Sequence, residues 1–168
     1  MNRGKIGWIL LITIACGMLV AAICVIVFGT KKIERDKGHV SPYVEIESIE
    51  EAELIVSKMR GPYRAYILEC DGDTCTITLY TDRDYEDSDV EPECVVTVDA
   101  EEVIDKLNEP KVTTWDGFDG ENPKGKKDGT ISSFDLVYND GEEMSMSGTN
   151  NFPENYSSLT GWFANQCR

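Results

Sequence analysis

Four of the six cysteines of this chain lie beyond residue 40 and can form covalent cross-links within a folded domain: Cys70, Cys75, Cys94 and Cys167. Four cysteines allow three disulfide connectivities. A bond across a hairpin between Cys70 and Cys75 is feasible, and a bond from either of them to Cys94 on a neighbouring strand is equally allowed. The alternative interpretation is that the cysteines are buried thiols. A catalytic dithiol is disfavoured, because no Cys-x-x-Cys pair stands at a helix start.

Carboxylates are the other abundant reactive groups. The chain has 31 Asp and Glu residues against 16 Lys and Arg, a formal net charge of -15, and this charge would repel the phosphates of a nucleic acid. The acid-rich stretch 82–93 has a spacing similar to calcium ligands, but it lacks the Asp-x-Asp-x-Asp-Gly order of an EF-hand loop, which favours a solvated loop. Paired carboxylates can hydrolyse glycosidic bonds, but a sequence does not show two acids at a catalytic separation.

The inventory of other catalytic groups is small. His39 is the only histidine, and it lies in a polar segment near an apolar run. A histidine-based triad or a histidine-rich metal site is therefore excluded from the domain that follows. There is also no glycine-rich phosphate loop. The sequence predicts no catalytic residue, no cofactor and no metal site.

An uncharged run, Ile6–Phe28, follows a short basic tail. A helix of this length would cover about 34 Å, enough to cross a hydrocarbon core of about 30 Å. A cleaved signal peptide would have a shorter apolar core and a small-residue cleavage site. The predicted division is a basic tail (1–5), a transmembrane helix (6–28), a juxtamembrane linker (29–43) and one folded domain (44–168).

The orientation of this membrane anchor follows from conflicting signals. Basic residues after the apolar run outnumber those before it, which taken alone would place the domain in the cytoplasm. The very short basic tail, the even number of cysteines in the domain and the weak influence of charge on the translocation of long domains favour the other side. We predict a single-pass membrane protein with an extracytoplasmic domain. An inward-facing cytoplasmic adaptor is the alternative.

The clearest local structure is a β-hairpin. Two runs of alternating residues, Tyr63–Cys70 and Cys75–Thr81, flank a turn that contains Gly72. Burying the apolar side chains on one face sets the register of the two strands. This register pairs Cys70 with Cys75, Leu68 with Ile77, Tyr66 with Leu79, Glu69 with Thr76 and Ile67 with Thr78.

A second hairpin is predicted over Ile131–Tyr138 and Glu142–Ser147. A two-residue turn would set apolar residues of one strand opposite polar residues of the other. A three-residue loop, Asn139–Gly141, restores the alternation and places its glycine in the left-handed region. The expected pairs are Leu136 with Met144 and Phe134 with Met146.

Helices are predicted at three places. Ser48 and Glu51 form a capping box, which predicts a helix over 49–59 with an apolar stripe. Asp99 caps a second helix, which precedes Pro110. The apolar members of the stripes are Ala52, Ile55, Val56 and Met59 in the first helix and Val103, Ile104 and Leu107 in the second.

The last helix is expected to begin at Pro153 and to carry Tyr156, Leu159 and Phe163 on one face. A strand that contains three valines, over 95–98, precedes the second helix. The predicted fold class is therefore α+β, with one N-terminal transmembrane helix followed by antiparallel β-hairpins that pack against two or three short helices.

The last third of the chain carries a set of motifs that is similar to a known group. The motifs are Trp115–Phe118, Asp128–Gly129, Ser133–Leu136, Tyr138–Gly141, Gly148 and Phe152–Tyr156. As a set they resemble uncharacterised secreted or membrane-anchored proteins of clostridial and related Gram-positive bacteria. The resemblance implies an N-terminal export or anchor segment and a domain outside the cell, but it implies no activity.

Trp115 and Phe118 are the candidates for a contact surface, because aromatic residues beside polar groups make good contacts. The alternative is that both close the end of the sheet. Without a catalytic constellation, we expect a binding module for a protein or a cell-envelope polymer at the cell surface, and a cell-envelope hydrolase with paired carboxylates is the alternative. Acids around an apolar pocket would favour the enzyme, and a flat aromatic patch would favour binding.

Overall fold

One large sheet dominates the computed structural model, which describes residues 41–87 and 89–168. The strand order is β4-β3-β2-β1-β6-β7-β5, and all neighbours pair antiparallel except β5 and β7, which are parallel. The strands are β1 (Ile49–Lys58), β2 (Tyr63–Asp71), β3 (Thr74–Tyr80), β4 (Cys94–Asp99), β5 (Asp119–Gly120), β6 (Thr130–Tyr138) and β7 (Glu142–Thr149). The helices are α1 (Ala100–Asn108), a 3₁₀ helix (Val112–Trp115) and α2 (Tyr156–Gln166).

The predicted fold class, α+β, is wrong. A single seven-stranded mixed sheet makes the described domain mainly β, and only two α-helices accompany it. The largest error is the helix predicted over 49–59, which is strand β1. This segment hydrogen-bonds to β2 on one side and to β6 on the other. Pairing on both sides outweighs the local signal of a capping box, since tertiary context routinely overrides helix propensity.

The side chains of β1 follow the two-residue period of a strand. Leu54 is fully buried and Ala52 is 4 % exposed, whereas Met59, assigned to the helical stripe, is 55 % exposed. Ile55 points to the other side of the sheet, opposite Ala65 and Ser133. The apolar residues of this segment therefore lie on two faces of a sheet instead of along one stripe of a helix.

The predicted transmembrane helix over 6–28 lies outside the described residues, as do the tail and most of the linker. Within 41–87 and 89–168, no helix combines the length and the apolarity needed to cross a membrane. The last linker residues, 41–43, are described. Ser41 Oγ donates a hydrogen bond to the Asp116 carbonyl at 3.3 Å, so contacts with the domain begin before residue 44.

Both predicted hairpin registers are confirmed. β2 and β3 pair Cys70 with Cys75 and Leu68 with Ile77, and β6 and β7 pair Leu136 with Met144. The second loop has three residues, and its glycine has a φ of +93°. Alternation and turn chemistry are local properties, which is why they set the register without knowledge of the rest of the sheet.

The second and third predicted helices are present. The Asp99 side chain accepts a hydrogen bond from the Glu101 amide at 2.9 Å and caps α1. α2 buries the three side chains expected on its inner face. It begins at Tyr156 and not at Pro153, whose carbonyl instead accepts the Tyr156 amide at 3.3 Å.

The core lies on the side of the sheet that carries the helices. Phe134 and Phe163 are fully buried there, and Tyr66 packs against Phe163 with ring centroids 5.6 Å apart. Deeper in the same layer, the Tyr156 hydroxyl contacts Ser132 Oγ at 2.5 Å, and Ser132 donates to the Ile55 carbonyl. Burial raises the pKa of Tyr156 to about 12, so this hydroxyl stays protonated at neutral pH.

An extended segment, residues 41–48, is held on the domain by side chains that hydrogen-bond to its backbone amides and carbonyls, as a neighbouring strand would. Asn108 accepts the Ile46 amide at 2.9 Å and donates to the Ile46 carbonyl at 2.9 Å. Thr113 makes the same pair of contacts with Val44. Ile46 itself is 2 % exposed, so the segment is both hydrogen-bonded and packed.

Two disulfides are formed among residues 41–87 and 89–168. Cys70 and Cys75 are bonded across β2 and β3, with Cα atoms 4.0 Å apart. Cys94 at the start of β4 is bonded to Cys167 after α2, with Cα atoms 5.8 Å apart. The second bond connects an edge of the sheet to the C-terminal helix, which the sequence left as one of several connectivities.

The two disulfides should differ in their contribution to stability. They join residues 5 and 73 positions apart, and closing a longer loop restricts the unfolded chain more. We expect C94S/C167S to lower the free energy of unfolding by about 4 kcal/mol and C70S/C75S by about 2 kcal/mol. Urea titration of the full chain in detergent micelles measures both values. Equal losses for the two variants would contradict the loop-closure explanation.

Candidate functional site

The sheet has one face that the described helices do not cover, and we call it the open face. It carries the odd-numbered residues of β1 from Glu51 onward, those of β2, β4, β6 and β7, and the even-numbered residues of β3, because successive side chains of a strand point to opposite sides. Apart from Ala65, which is fully buried on this face, the buried apolar residues of the same strands belong to the opposite parity. The open face is thus a broad surface in the described part of the chain, and it is the main candidate for contact with a partner.

Acidic side chains oppose one another on this surface. Glu51 lies directly across from Glu69, and Glu53 lies directly across from Asp135. Like charges at directly opposed positions of a sheet destabilise the pairing. The middle of the open face therefore carries an unfavourable concentration of negative charge that a cationic partner would relieve.

Three tyrosines, Tyr63, Tyr80 and Tyr85, form what we call the tyrosine patch at one end of the open face. The rings of Tyr63 and Tyr85 are stacked with centroids 6.1 Å apart, and those of Tyr80 and Tyr85 are 5.6 Å apart. The register of β2 and β3 pairs Ala65 with Tyr80, which makes Tyr80 a diagonal neighbour of Tyr63 on the same face. All three side chains are partly exposed.

The loop after β3 folds back onto the open face through two contacts. The Tyr85 hydroxyl donates a hydrogen bond to Glu53 Oε1 at 2.5 Å, and Arg83 Nη2 donates to Ser57 Oγ at 2.8 Å. The Arg83 guanidinium also lies 5.1 Å above the Tyr63 ring, within the range of a cation–π interaction. The loop thereby adds its own aromatic ring and one positive charge to the patch.

The hydroxyls of Tyr63 and Tyr85 are held in their neutral form. Burial, followed by the hydrogen bond to the Glu53 carboxylate, raises the pKa of Tyr85 far above its ordinary value. Burial also raises the pKa of Tyr63. At neutral pH these groups donate hydrogen bonds and offer apolar ring faces, which suits contact with a partner better than nucleophilic chemistry.

The acidic residues do not assemble into a metal site. Across 41–87 and 89–168, no three histidine, cysteine or carboxylate side chains are arranged to hold a metal ion. A groove of about 440 Å³ lies between the β2–β3 turn, the N-terminus of α1 and residues 47–49. Its acidic side chains include Asp73 and Asp99, and the latter is already engaged as the cap of α1. The groove is therefore not a stronger candidate for a functional site than the open face.

The structure places the sequence-predicted contact residues Trp115 and Phe118 against the core. Trp115 is 3 % exposed, with ring centroids 6.4 Å from Phe134 and 6.3 Å from Tyr156. Phe118 is partly buried and packs on the same core. Their position agrees with the second interpretation of these residues, which is that they close the end of the sheet.

The segment around these aromatics covers the edge of β7. Asp116 Oδ1 accepts the Ser145 amide at 3.2 Å, and the Gly117 amide donates to the Ser145 carbonyl at 2.9 Å. Two residues further along, the Ser147 amide donates to the Phe118 carbonyl at 2.9 Å. Gly117 has a φ of +72°, which a glycine adopts without strain. The Trp-Asp-Gly-Phe motif is thus a cover for a strand edge.

Sequence reasoning missed the tyrosine patch. The signal for its first two members was available, because the predicted register of the first hairpin also sets Tyr80 beside Tyr63 on the face opposite to the core. No local pattern indicated Tyr85, whose position depends on the path of the loop after β3.

Comparison with protein-family models, curated proteins and solved structures finds no match for this chain. The likeness of its C-terminal motifs to clostridial surface proteins stays a prediction. The open face is therefore the feature of the described domain that bears most directly on function.

The Tyr85–Glu53 hydrogen bond should hold the loop on the open face. A bond to a charged acceptor contributes about 1.5 to 3 kcal/mol, so we expect Y85F to increase the population of the open loop by tenfold or more. Hydrogen exchange of the amides in 82–87 measures this population. Y80F is the matched control, because it removes a hydroxyl from the same patch without breaking the bond. Equal exchange in Y85F and the unchanged chain would show that the contact does not hold the loop.

Proposed function

We propose that this chain is a single-pass, membrane-anchored binding module whose folded domain lies outside the cell membrane and holds a protein or a cell-envelope polymer on its open face. The observation that carries the proposal is the tyrosine patch, Tyr63, Tyr80 and Tyr85, beside opposed carboxylates on a sheet face without helical cover. Tyrosines supply much of the binding energy in macromolecular interfaces, because a rigid apolar ring and a polar hydroxyl act together.

The shape of the surface supports a macromolecular ligand. Small molecules are usually bound in enclosed, mostly apolar pockets. The open face is instead broad, and its side chains are hydroxyls, carboxylates, tyrosines and scattered apolar groups such as Ile131, which is 45 % exposed. A surface of this kind suits an extended partner that contacts several strands at once.

Charge indicates which partners fit. The chain has a formal net charge of -15, and two pairs of acids are opposed on the open face. A cationic protein surface or polymer would be attracted to it, and a nucleic acid would be repelled. The proposed partner therefore carries positive charge where it meets the centre of the sheet.

Two features of the chain support a domain that lies outside the cell membrane. The apolar run over 6–28 has the length of a membrane anchor, and a membrane-embedded anchor would keep the domain at the cell surface. Four cysteines of the domain are paired in two disulfides, which persist in oxidising compartments and are rare in the cytosol.

A photo-crosslinking experiment in intact cells tests the binding face. Tyr63, Ser57 and Ile131 lie in one row across β2, β1 and β6, so a photoreactive residue at position 131 sits close to the patch. We expect it to capture a discrete partner, whereas the same residue at Ser158 on the exposed side of α2 captures none. Tyr63→Ala should lower the yield at position 131 by about tenfold or more, since loss of a central tyrosine commonly costs 2 kcal/mol or more.

The matched control for this substitution is Tyr43→Ala. Tyr43 is 43 % exposed and lies in the N-terminal segment, away from the open face, so its removal should change the yield less than twofold. Thermal unfolding of both variants verifies that the fold is kept. Equal capture from positions 131 and 158, or a yield at 131 that does not depend on Tyr63, would refute the proposed binding face.

A labelling experiment tests the location of the domain. A membrane-impermeant maleimide applied to intact cells should label the chain only after treatment with an impermeant reductant, because the domain cysteines are paired and outside. The variant C70S/C75S/C94S/C167S is the control that assigns the label to the domain. Absence of labelling after reduction, with labelling restored by lysis, would place the domain in the cytoplasm.

A further inference from the structure

The two edges of the sheet differ in how far their outward backbone groups are hydrogen-bonded. At the β7 edge, the outward-pointing amide and carbonyl of Ser145 are bonded to Asp116 and Gly117, and the Ser147 amide is bonded to Phe118. The short strand β5 continues this cover by pairing with Ser147 and Gly148. Proteins commonly protect edge strands in this way, since an open edge is a template for another strand.

The β4 edge has no comparable cover in the described part of the chain. The Ala100 amide donates to the Asp73 carbonyl at 3.0 Å, which makes Asp99 and Thr74 a pair without mutual hydrogen bonds. Because such pairs alternate along an antiparallel ladder, the backbone groups of Thr97 and Val95 point away from β3. Their amides and carbonyls make no hydrogen bond within residues 41–87 and 89–168.

Both ends of this edge strand are nevertheless fixed. Cys94 is bonded to Cys167, and Asp99 at the other end caps α1. A strand whose ends are held has already lost most of the freedom that binding would remove, so a partner strand pays a smaller entropic cost. Between its ends, β4 has no charged residue and no proline, which are the usual devices that block pairing at an edge.

The acidic residues around the β4 edge favour a positively charged partner. Val95 is 59 % exposed beside the free backbone groups, and acidic residues flank the strand, with Glu91 and Glu93 before it and Glu101 after it. A second copy of β4 in antiparallel pairing would bring the acids before one strand next to those after the other. This like-charge contact disfavours self-pairing and favours a segment flanked by Lys or Arg.

We propose that the β4 edge accepts an extended, cationic segment of a partner protein as an eighth strand. The partner's backbone would bond to the amides and carbonyls of Val95 and Thr97, and its basic residues would meet the flanking glutamates. This inference rests on the proposed role as a binding module, but it uses a surface separate from the tyrosine patch.

The test uses the full chain in detergent micelles and the synthetic peptide Lys-Lys-Thr-Val-Thr-Val-Thr-Lys-Lys. Two further peptides carry N-methyl groups either on the two valines, which leaves one edge of the strand intact, or on all five central residues, which blocks both edges. Since alternate amides of a strand point to opposite sides, the peptide blocked on both edges should lose tenfold or more in affinity, and the peptide blocked on one edge should bind within threefold of the parent. The amides of Val95 and Thr97 should gain protection from hydrogen exchange in the complex.

Substitutions in the protein provide the second part of this binding test. Thr97→Pro removes an amide that does not pair with β3 and places a ring on the edge, so it should weaken peptide binding tenfold or more. Thr97→Ala is the matched control and should bind within twofold of the unchanged chain. The methylated peptides act on an unaltered protein, so the test holds even where the proline variant fails to fold.

Four results would overturn the inference. Equal binding of both methylated peptides would show attraction by charge alone, and no binding by the parent peptide would refute edge pairing for this class of segment. Protection of Val95 and Thr97 without peptide, in a dimer that Thr97→Pro dissociates, would identify a second copy as the occupant. The photo-crosslinking yield at position 131 distinguishes this inference from the proposed function. If the yield depends on Tyr63 but is unchanged by Thr97→Pro, the open-face function stands, and the β4 edge is refuted as a contact of that partner.

Discussion

The pairing of β1 with two neighbours is the interaction on which the described domain depends. β1 bonds to β2 through one set of backbone groups and to β6 through the other, and so joins two hairpins that are far apart in sequence. Without this central strand, each hairpin would have an unpaired inner edge. An isolated hairpin is marginally stable in water, whereas a continuous sheet with one buried face provides a core.

This continuous sheet explains why the two faces differ. Helices α1 and α2 cover one face and bury its aromatic and aliphatic side chains, including Phe134 and Phe163. The other face receives the alternate side chains of each strand, both polar and apolar, and the loop that Tyr85 holds against Glu53. Opposed acids on that face reduce the stability of the free domain, and a cationic partner would recover part of this loss. In the proposed function, stability and binding therefore belong to opposite sides of the same strands.

The two edges of the sheet differ as its two faces do: one is covered by the chain itself, and the other is open in the described residues. The Trp-Asp-Gly-Phe segment covers β7 with one side-chain and two backbone hydrogen bonds, so its aromatic residues stabilise the fold. β4 is held at both ends by a disulfide and a helix cap, and its outward backbone groups are left without a protein partner in the described residues. An open face and an open edge that share β4 would allow one partner to contact both.

Features that depend on neighbours in the chain could be predicted from the residues alone: the registers of both hairpins, the Asp99 cap, and the inner face of α2. Alternation, turn residues and caps act over a few residues, so they can be recognised locally. That residues 49–58 form a strand depends on the assembled sheet, because the partners of β1 are distant and their hydrogen bonds outweigh a capping box. The Cys94–Cys167 bond, the burial of Trp115 and the place of Tyr85 depend on it as well, since each involves segments that meet only when the sheet is complete.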